Sequence, residues 1–233
     1  MNDYLEKNLG YWSKGYEAEN VESFVFRTYG RIIKKLGFDG KGQKLLDFGC
    51  GAGATAHFFH KIGFEVYGVD ISQIDIGTCR KRMPELKDRF KVIPASPKLE
   101  DDFFSTKFDI ITGIQSLYYY SDTDLEIRLQ NLHKLLKDGG IIFATMIGTR
   151  HKFFERTVEG QDGLSLVKWK SGRYNISDYY ANFIEDTDAL ERKFHLFKKL
   201  NVGYYENLYV ESEGRDYHFT YIGGKMNEVQ LIS

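Results

Sequence analysis

The stretch that most restricts how this chain can fold is Gly49-Cys50-Gly51-Ala52-Gly53, three glycines alternating with small residues. It ends an apolar run, Lys44-Leu45-Leu46-Asp47-Phe48, and precedes Ala54 to Lys61, which reads as a helix. Strand, glycine turn and helix in direct succession start a parallel α/β unit, because glycine tolerates the backbone conformations and close approaches of such a turn. The signal then repeats. Phe64 to Asp70 is a second strand that ends in an acid, and Ser72 to Arg82 is the next helix, with Ser72 as its N-cap. Phe90 to Ile93 and Phe108 to Thr112 are a third and a fourth strand. Asp122 to Lys137 carries Leu125, Leu129, Leu132, Leu135 and Leu136 at helical period and stops at Asp138-Gly139-Gly140. Ile141 to Met146 is a fifth, buried strand.

This alternation predicts an α/β fold: a single domain over residues 1–233 built on a doubly wound, mostly parallel sheet with right-handed crossovers. In such sheets ligands bind beyond the carboxyl ends of the strands, here Asp47–Gly53, Asp70, Ala95–Ser96, Ile114–Tyr118 and Ile147–His151. Two regions stand outside the alternation. Residues 1–35 read as an N-terminal helical cap carrying Tyr11, Trp12 and Tyr16. Residues 149–197 are dense in rings (Phe153, Phe154, Trp169, Tyr174, Tyr179, Tyr180, Phe183) and are expected to form a substrate lid, the other reading being a small satellite core. Tyr204 to Tyr209 and Tyr217 to Ile222 predict a closing antiparallel hairpin around Glu213-Gly214-Arg215.

Charge and cysteine usage remove several classes of function. With 32 basic against 33 acidic residues the chain lacks the excess of cations that a non-specific nucleic-acid binder needs. Its two cysteines, Cys50 and Cys79, have neither zinc-site nor disulfide spacing. Apolar runs such as Ile141 to Ile147 fall far short of the roughly 20 residues that span a bilayer. Met1 to Lys7 lacks the layout of a signal peptide, so a cytoplasmic protein without membrane insertion is expected.

Gly49-x-Gly51-x-x-Ala54 fits the dinucleotide-binding spacing, so a nicotinamide-dependent reductase has to be weighed. Asp47 speaks against it, because a carboxylate beside the loop would repel the pyrophosphate that bare amides at a helix N-terminus otherwise attract. A ligand with an ammonium group and no phosphate, such as S-adenosylmethionine, suits an acid there. Leu45 to Gly53 resembles the first motif of class I S-adenosylmethionine-dependent methyltransferases of the small-molecule type. Val66 to Ser72, Phe108 to Ile111, Gln115 to Tyr119 and Leu135 to Gly140 resemble further family motifs, in order, over residues 40–147.

The resemblance implies a seven-stranded, Rossmann-like sheet and S-adenosylmethionine as cofactor. It implies cofactor-binding roles for Tyr11, Asp47, Gly49, Cys50, Gly51, Gly53, Asp70, Ile71, Ser96, Ile114 and Gln115. Within that set, Asp47 would orient the loop or meet the amino group, the three glycines would let the backbone approach the ligand, and Asp70 would accept the ribose hydroxyls. Ile71 would pack on the adenine, and Ile114 and Gln115 would contact the methionine portion. Cys50 is read as a small loop filler rather than a nucleophile. After the third strand the family often has an acid; Ala95 and Ser96 stand here, and Ser96 is taken as the replacement.

For the transfer itself Tyr118 and His151 are the candidate catalytic residues, while Tyr119, Arg150 and Tyr179 are candidate substrate contacts, Arg150 for a phosphate or carboxylate. With Gln115 where catechol-type enzymes carry a magnesium-binding acid, no metal is expected. No Asp/Asn-Pro-Pro-Tyr/Phe run follows the fourth strand, which disfavours amino-methylation of DNA. The acceptor is then a small molecule or a nucleotide- or saccharide-linked group, methylated on oxygen. The segment Asn20 to Arg27 is similar to enzymes of bacterial surface-polysaccharide clusters, among them O-methyltransferases of a capsule phosphoramidate. N-methylation of a small amine and non-catalytic cofactor binding stay open beside that reading.

Overall fold

The computed structural model describes residues 3–12, 21–168 and 177–226. Tyr16, Trp169 and Tyr174 lie outside the described residues, as do the side chains of Tyr11 and Trp12. Two helices, α1 (Asp3–Trp12) and α2 (Ser23–Arg31), precede β1 (Lys44–Phe48). Then follow α3 (Ala54–Ile62), β2 (Glu65–Asp70), α4 (Gln73–Arg82), β3 (Phe90–Val92), β4 (Phe108–Gly113), α5 (Asp122–Leu135) and β5 (Leu136–Ile147). The rest comprises β6 (Thr157–Glu159), β7 (Ser165–Val167), β8 (Tyr179–Ala181), α6 (Thr187–Lys193), β9 (Phe197–Asn207) and β10 (Asp216–Lys225).

Seven strands form the central sheet in the order β3-β2-β1-β4-β5-β10-β9. β1 to β5 pair in parallel, while β10 runs antiparallel to both β5 and β9. Both faces are covered, so the inner strands are largely apolar, as Ile110 and Ile111 of β4 illustrate: neighbours in sequence, both without exposed surface. Leu125, Leu129 and Leu132 of α5 pack on one face together with Leu190 of α6 and Phe194. Phe24 and Val25 of α2, Phe59 of α3, and Ile76 and Cys79 of α4 pack on the other. Among the described residues no helix is long and apolar enough to cross a membrane.

The expected elements form with two differences. α5 ends at Leu135 rather than Lys137, because Leu136 is already extended and pairs with Phe108. Pairing resumes at Ile110 with Ile141, so Asp138-Gly139-Gly140 bulges from the start of β5 instead of capping a helix. Gly139 takes φ +76 there, and a Cβ at Gly140 would lie 2.9 Å from the Lys137 carbonyl. The closing hairpin is also longer than read, since β9 begins at Phe197.

Residues 149–197 contain the small antiparallel sheet β6-β7-β8. α1 is docked on it by one buried amide: Asn8 Nδ2 donates to the carbonyls of Tyr119 (2.9 Å) and Tyr180 (3.0 Å), and its Oδ1 accepts the Tyr180 N–H at 2.8 Å. Tyr4 adds a hydrogen bond to Asp124, and Tyr180 one to Asp3 at 2.9 Å. Asn8→Ala strips the backbone of Tyr119 and Tyr180 of these partners and should cost about 1–3 kcal/mol in denaturant unfolding. Hydrogen exchange at the Tyr180 amide should quicken in the same variant; unchanged protection there would show that Asn8 does not hold this strand.

Candidate functional site

A cavity of about 620 Å³ opens at the carboxyl ends of β1, β2, β4 and β5, where a doubly wound sheet binds its ligands. The glycine turn after β1 forms one wall. Its shape is set by β2: the Gly49 and Cys50 amides both donate to the Val69 carbonyl (2.8 and 3.0 Å), and Asp70 Oδ2 accepts the Gly51 N–H at 2.8 Å. Asp70 Oδ1 accepts the Ser72 N–H, also at 2.8 Å. Burial pushes the Asp70 carboxyl up, opposed by these two amides.

Gly49, Gly51 and Gly53 all have positive φ, but they do three different things. A Cβ on Gly49 would sit 2.3 Å from Ser116 Cβ, so this glycine lets the loop after β4 close against the turn. A Cβ on Gly53 would sit 2.8 Å from Cys79 Sγ; this glycine serves the packing of α3 on α4 and does not line the cavity, which corrects its expected place at the ligand. Gly51 alone faces open space, with nothing within 4 Å. Cys50 lines the cavity with its thiol 3.9 Å from that of Cys79, and this contact, together with burial, raises its pKa well above the ordinary value. A thiol so held is a filler and not a nucleophile.

Asp47 is the unusual group. It is 1% exposed at the end of β1 and lines the cavity. Oδ1 accepts the Thr112 hydroxyl at 2.8 Å, but Oδ2 is buried without a hydrogen-bond partner. Burial raises its pKa to about 7, against the pull of the Thr112 hydroxyl and the Ala56 backbone amide. A buried carboxylate oxygen with no partner, next to the bare face of Gly51, fits a ligand that brings a cationic donor and does not fit one that brings phosphate.

The opposite wall comes from the loops after β4 and β5 and from the hairpin β9–β10. Gln115 holds φ +53, a strained conformation for a residue with a Cβ. Its amide donates to Thr145 Oγ1 and its Nε2 donates to the Tyr205 hydroxyl, each at 2.7 Å. Tyr205 is stacked between Phe24 (3.9 Å) and the His218 ring (5.0 Å). His218 is 4% exposed, lines the cavity, and neither ring nitrogen has a hydrogen-bond partner. Burial, then the neighbouring His151, hold its pKa well below the ordinary value.

His151 is committed differently. Its Nδ1 accepts the Phe153 N–H at 3.1 Å, which leaves its proton on Nε2, 3.4 Å from Asp216 Oδ1. Burial lowers its pKa to about 4, opposed by Asp216. Tyr118, Tyr119 and Tyr179 line the same wall, with Tyr119 and Tyr179 in ring contact at 5.8 Å.

The cavity thus gathers Asp47, Gly49, Cys50, Gly51, Asp70, Ile71, Ile114, Gln115, Tyr118, Tyr119, His151 and Tyr179. Tyr11, whose side chain is outside the described residues, is not placed. Besides Gly53, two expectations are corrected. Ser96 is exposed and outside the lining, because Ile93 and Ala95, two residues apart, take the inward positions. Arg150 is drawn away by Glu206 (3.6 Å) and lies over the face of Tyr217, so it does not line the cavity. Reading the sequence missed Tyr205, His218, Asp216, Lys152 and Glu22, all of which line it. The one visible signal was a histidine in the aromatic-rich run Tyr217 to Ile222.

Residues 21–183 match a family model described as a methyltransferase domain. The ubiquinone biosynthesis O-methyltransferase of Pelagibacter ubique is 29% identical over 157 residues, 66% of this chain and 59% of that protein. Phosphoethanolamine N-methyltransferase 2 of Caenorhabditis elegans is 30% identical over 156 residues, 64% of this chain and 35% of that protein. The match therefore spans less than two thirds of the length of either relative. In three dimensions, an S-adenosylmethionine-dependent methyltransferase of Methanosarcina mazei superposes with a TM-score of 0.67 at 18% identity, covering 90% of this chain and 100% of the other. The N-methyltransferase NodS of Bradyrhizobium japonicum, solved with S-adenosylhomocysteine, gives 0.59 at 16% identity over 97% and 100%. At these identities the likeness speaks for the fold.

The raised pKa of Asp47 has a thermodynamic consequence. Between its ordinary value of 3.8 and about 7 the folded chain keeps a proton that the unfolded chain has released. Its contribution to stability therefore falls as pH rises through that window and levels off above it. Asp47→Asn should remove this slope and, above pH 7, stabilise the ligand-free protein by on the order of a few kcal/mol. Thermal unfolding of both proteins from pH 4 to 8 checks this; parallel curves would mean that Asp47 is ionised in the free protein.

Proposed function

This chain belongs to the class I S-adenosylmethionine-dependent methyltransferase family, and on that premise we propose that it transfers the methyl group of S-adenosylmethionine to an oxygen of a small-molecule acceptor. The observation that carries the cofactor assignment is the buried, unpartnered Oδ2 of Asp47 beside the open face of Gly51. The cofactor supplies a sulfonium-activated methyl group. Asp47 receives its ammonium, Asp70 its ribose hydroxyls through lone pairs not taken by Gly51 and Ser72, and Ile71 its adenine; Ile114 and Gln115 flank its methionine portion. A dinucleotide is disfavoured by Asp47, whose carboxylate beside the turn opposes a pyrophosphate; Asp70 would suit the ribose of either ligand.

For the chain's own residues catalysis is a matter of holding and drying the acceptor. Tyr118, Tyr119 and Tyr179 form a ring-lined wall for it. The β6–β8 sheet, tied to α1 through Asn8, acts as the lid. A saccharide- or nucleotide-linked acceptor, including a capsule phosphoramidate, would meet Lys152 as the cation of the lining in place of Arg150. A second reading, an amine acceptor, is favoured by Glu22 and Asp216, two carboxylates that line the cavity; burial and then Asp216 raise the Glu22 pKa.

Calorimetric titration with S-adenosylmethionine, S-adenosylhomocysteine and NADH tests the cofactor assignment. Micromolar binding of the first two and none of NADH is expected. Asp70→Ala should weaken the binding of S-adenosylmethionine by about 1–3 kcal/mol. Binding of NADH alone would mean that the glycine turn holds a pyrophosphate.

A further inference from the structure

The histidine end of the cavity contains a group that cofactor binding does not use. His218 lies on β10, paired across the backbone with Ile147 and Tyr205, so its Cα sits inside the sheet. Its ring is held by three neighbours: Tyr205 stacked on its face at 5.0 Å, His151 edge-on at 5.2 Å and Tyr118 at 5.6 Å. A neutral imidazole has one donor and one acceptor nitrogen, and burying both without partners is costly unless a ligand meets them. The unpartnered nitrogens, the 4% exposure and the position in the cavity wall together point to an acceptor group as that ligand.

His151, the other histidine of the wall, has a polar neighbour at each ring nitrogen. Nδ1 is engaged by the Phe153 N–H, and Nε2 lies 3.4 Å from Asp216 Oδ1, which also takes the Lys152 ammonium at 3.0 Å. The titratable groups around His218 are Tyr118 from the loop after β4, His151 and Lys152 from the loop after β5, Tyr205 from β9, Asp216 from β10, and Glu22 ahead of α2. Tyr118, Tyr205 and His151 touch the ring, and Asp216 with Lys152 acts on His151.

We propose that His218 is the group that receives the acceptor's proton, and that the methylated atom is therefore a hydroxyl oxygen; this rests on the methyltransferase reading above. The need for a base separates the two acceptor classes. A neutral amine can keep its proton after methylation, whereas a hydroxyl must lose it. As the oxygen forms its bond to the methyl carbon and the carbon–sulfur bond breaks, the hydroxyl proton passes to the free imidazole nitrogen of His218. The products are a methyl ether, S-adenosylhomocysteine and an imidazolium that returns its proton to solvent. A base of low proton affinity suffices, because the hydroxyl becomes strongly acidic as the carbon–oxygen bond forms. Burial keeps His218 unprotonated, and so able to accept, in neutral solution.

Catechol, a planar hydroxyl compound suited to the tyrosine wall, is the probe. In nitrogen-15 spectra of the S-adenosylhomocysteine complex, His218 should show one unprotonated ring nitrogen at pH 6, and that signal should shift on adding catechol while those of His151 stay in place. With S-adenosylmethionine, wild-type protein should yield the monomethyl ether. His218→Asn should lower kcat by about 100-fold or more while cofactor affinity stays within about twofold. A His218 signal unmoved by catechol, or His218→Asn turning catechol over at the wild-type rate, overturns the proposal. Failure of the wild-type protein to bind S-adenosylhomocysteine would instead fell the cofactor reading, and the two failures are told apart by the calorimetry. The wild-type spectra decide the matter even if the variant does not fold.

Discussion

The carboxyl edge of the sheet depends on one carboxylate, Asp70, whose two oxygens each hold a backbone amide, Gly51 on one side and Ser72 on the other. The first fixes the glycine turn against β2 and the second fixes the start of α4, where Ser72 caps Asp75. Removing Asp70 would free both at once. Backbone N–H groups of Gly49 and Cys50 add to the clamp through the Val69 carbonyl. Charge-assisted bonds of this kind are stronger than neutral ones, so the turn is preorganised before any ligand arrives. Asp47 is held more loosely, by the Thr112 hydroxyl and the pull of the Ala56 amide. Its Oδ2 is left without a hydrogen-bond partner, the place that the proposed ammonium contact would fill.

The cavity has two ends with opposite demands. At Asp47 a buried acid with a pKa near 7 waits for positive charge. At His151 and His218 burial holds two imidazoles neutral, and both ring nitrogens of His218 are without a hydrogen-bond partner. A ligand with an ammonium at one end, and an acceptor that gives up a proton at the other, satisfies both. The strained Gln115 is fixed by its bonds to Thr145 of β5 and to Tyr205, which stacks on His218.

The first five strands and the glycine turn were legible in the sequence because each is a local pattern: an apolar run, a break, a helical period. Asp47, Asp70 and Ile71 were legible for the same reason, since they sit at strand ends next to that turn. The site's other wall was not. Tyr205 and His218 come from the last hairpin, about 90 and 100 residues beyond Gln115 in sequence, and meet the cavity only because β10 inserts beside β5. Arg150 and Ser96 failed on side-chain direction, which spacing does not encode: Glu206 and Tyr217 draw the arginine out, and the inward positions of Ile93 and Ala95 leave the serine outside. Of the glycines only Gly53 departs from the expectation, packed on Cys79 and outside the lining, while Gly49 and Gly51 line the cavity.

The central claim is that Asp47 receives the ligand's ammonium group, and for that it must ionise. The most direct measurement is the proton balance of S-adenosylhomocysteine binding at about pH 6.5, from calorimetry in two buffers of different ionisation enthalpy. With a free-state pKa of about 7 for Asp47, the wild-type protein should release a large fraction of a proton on binding, and Asp47→Asn should release none of that fraction. Equal binding enthalpies in both buffers, or the same release from Asp47→Asn, would contradict the account.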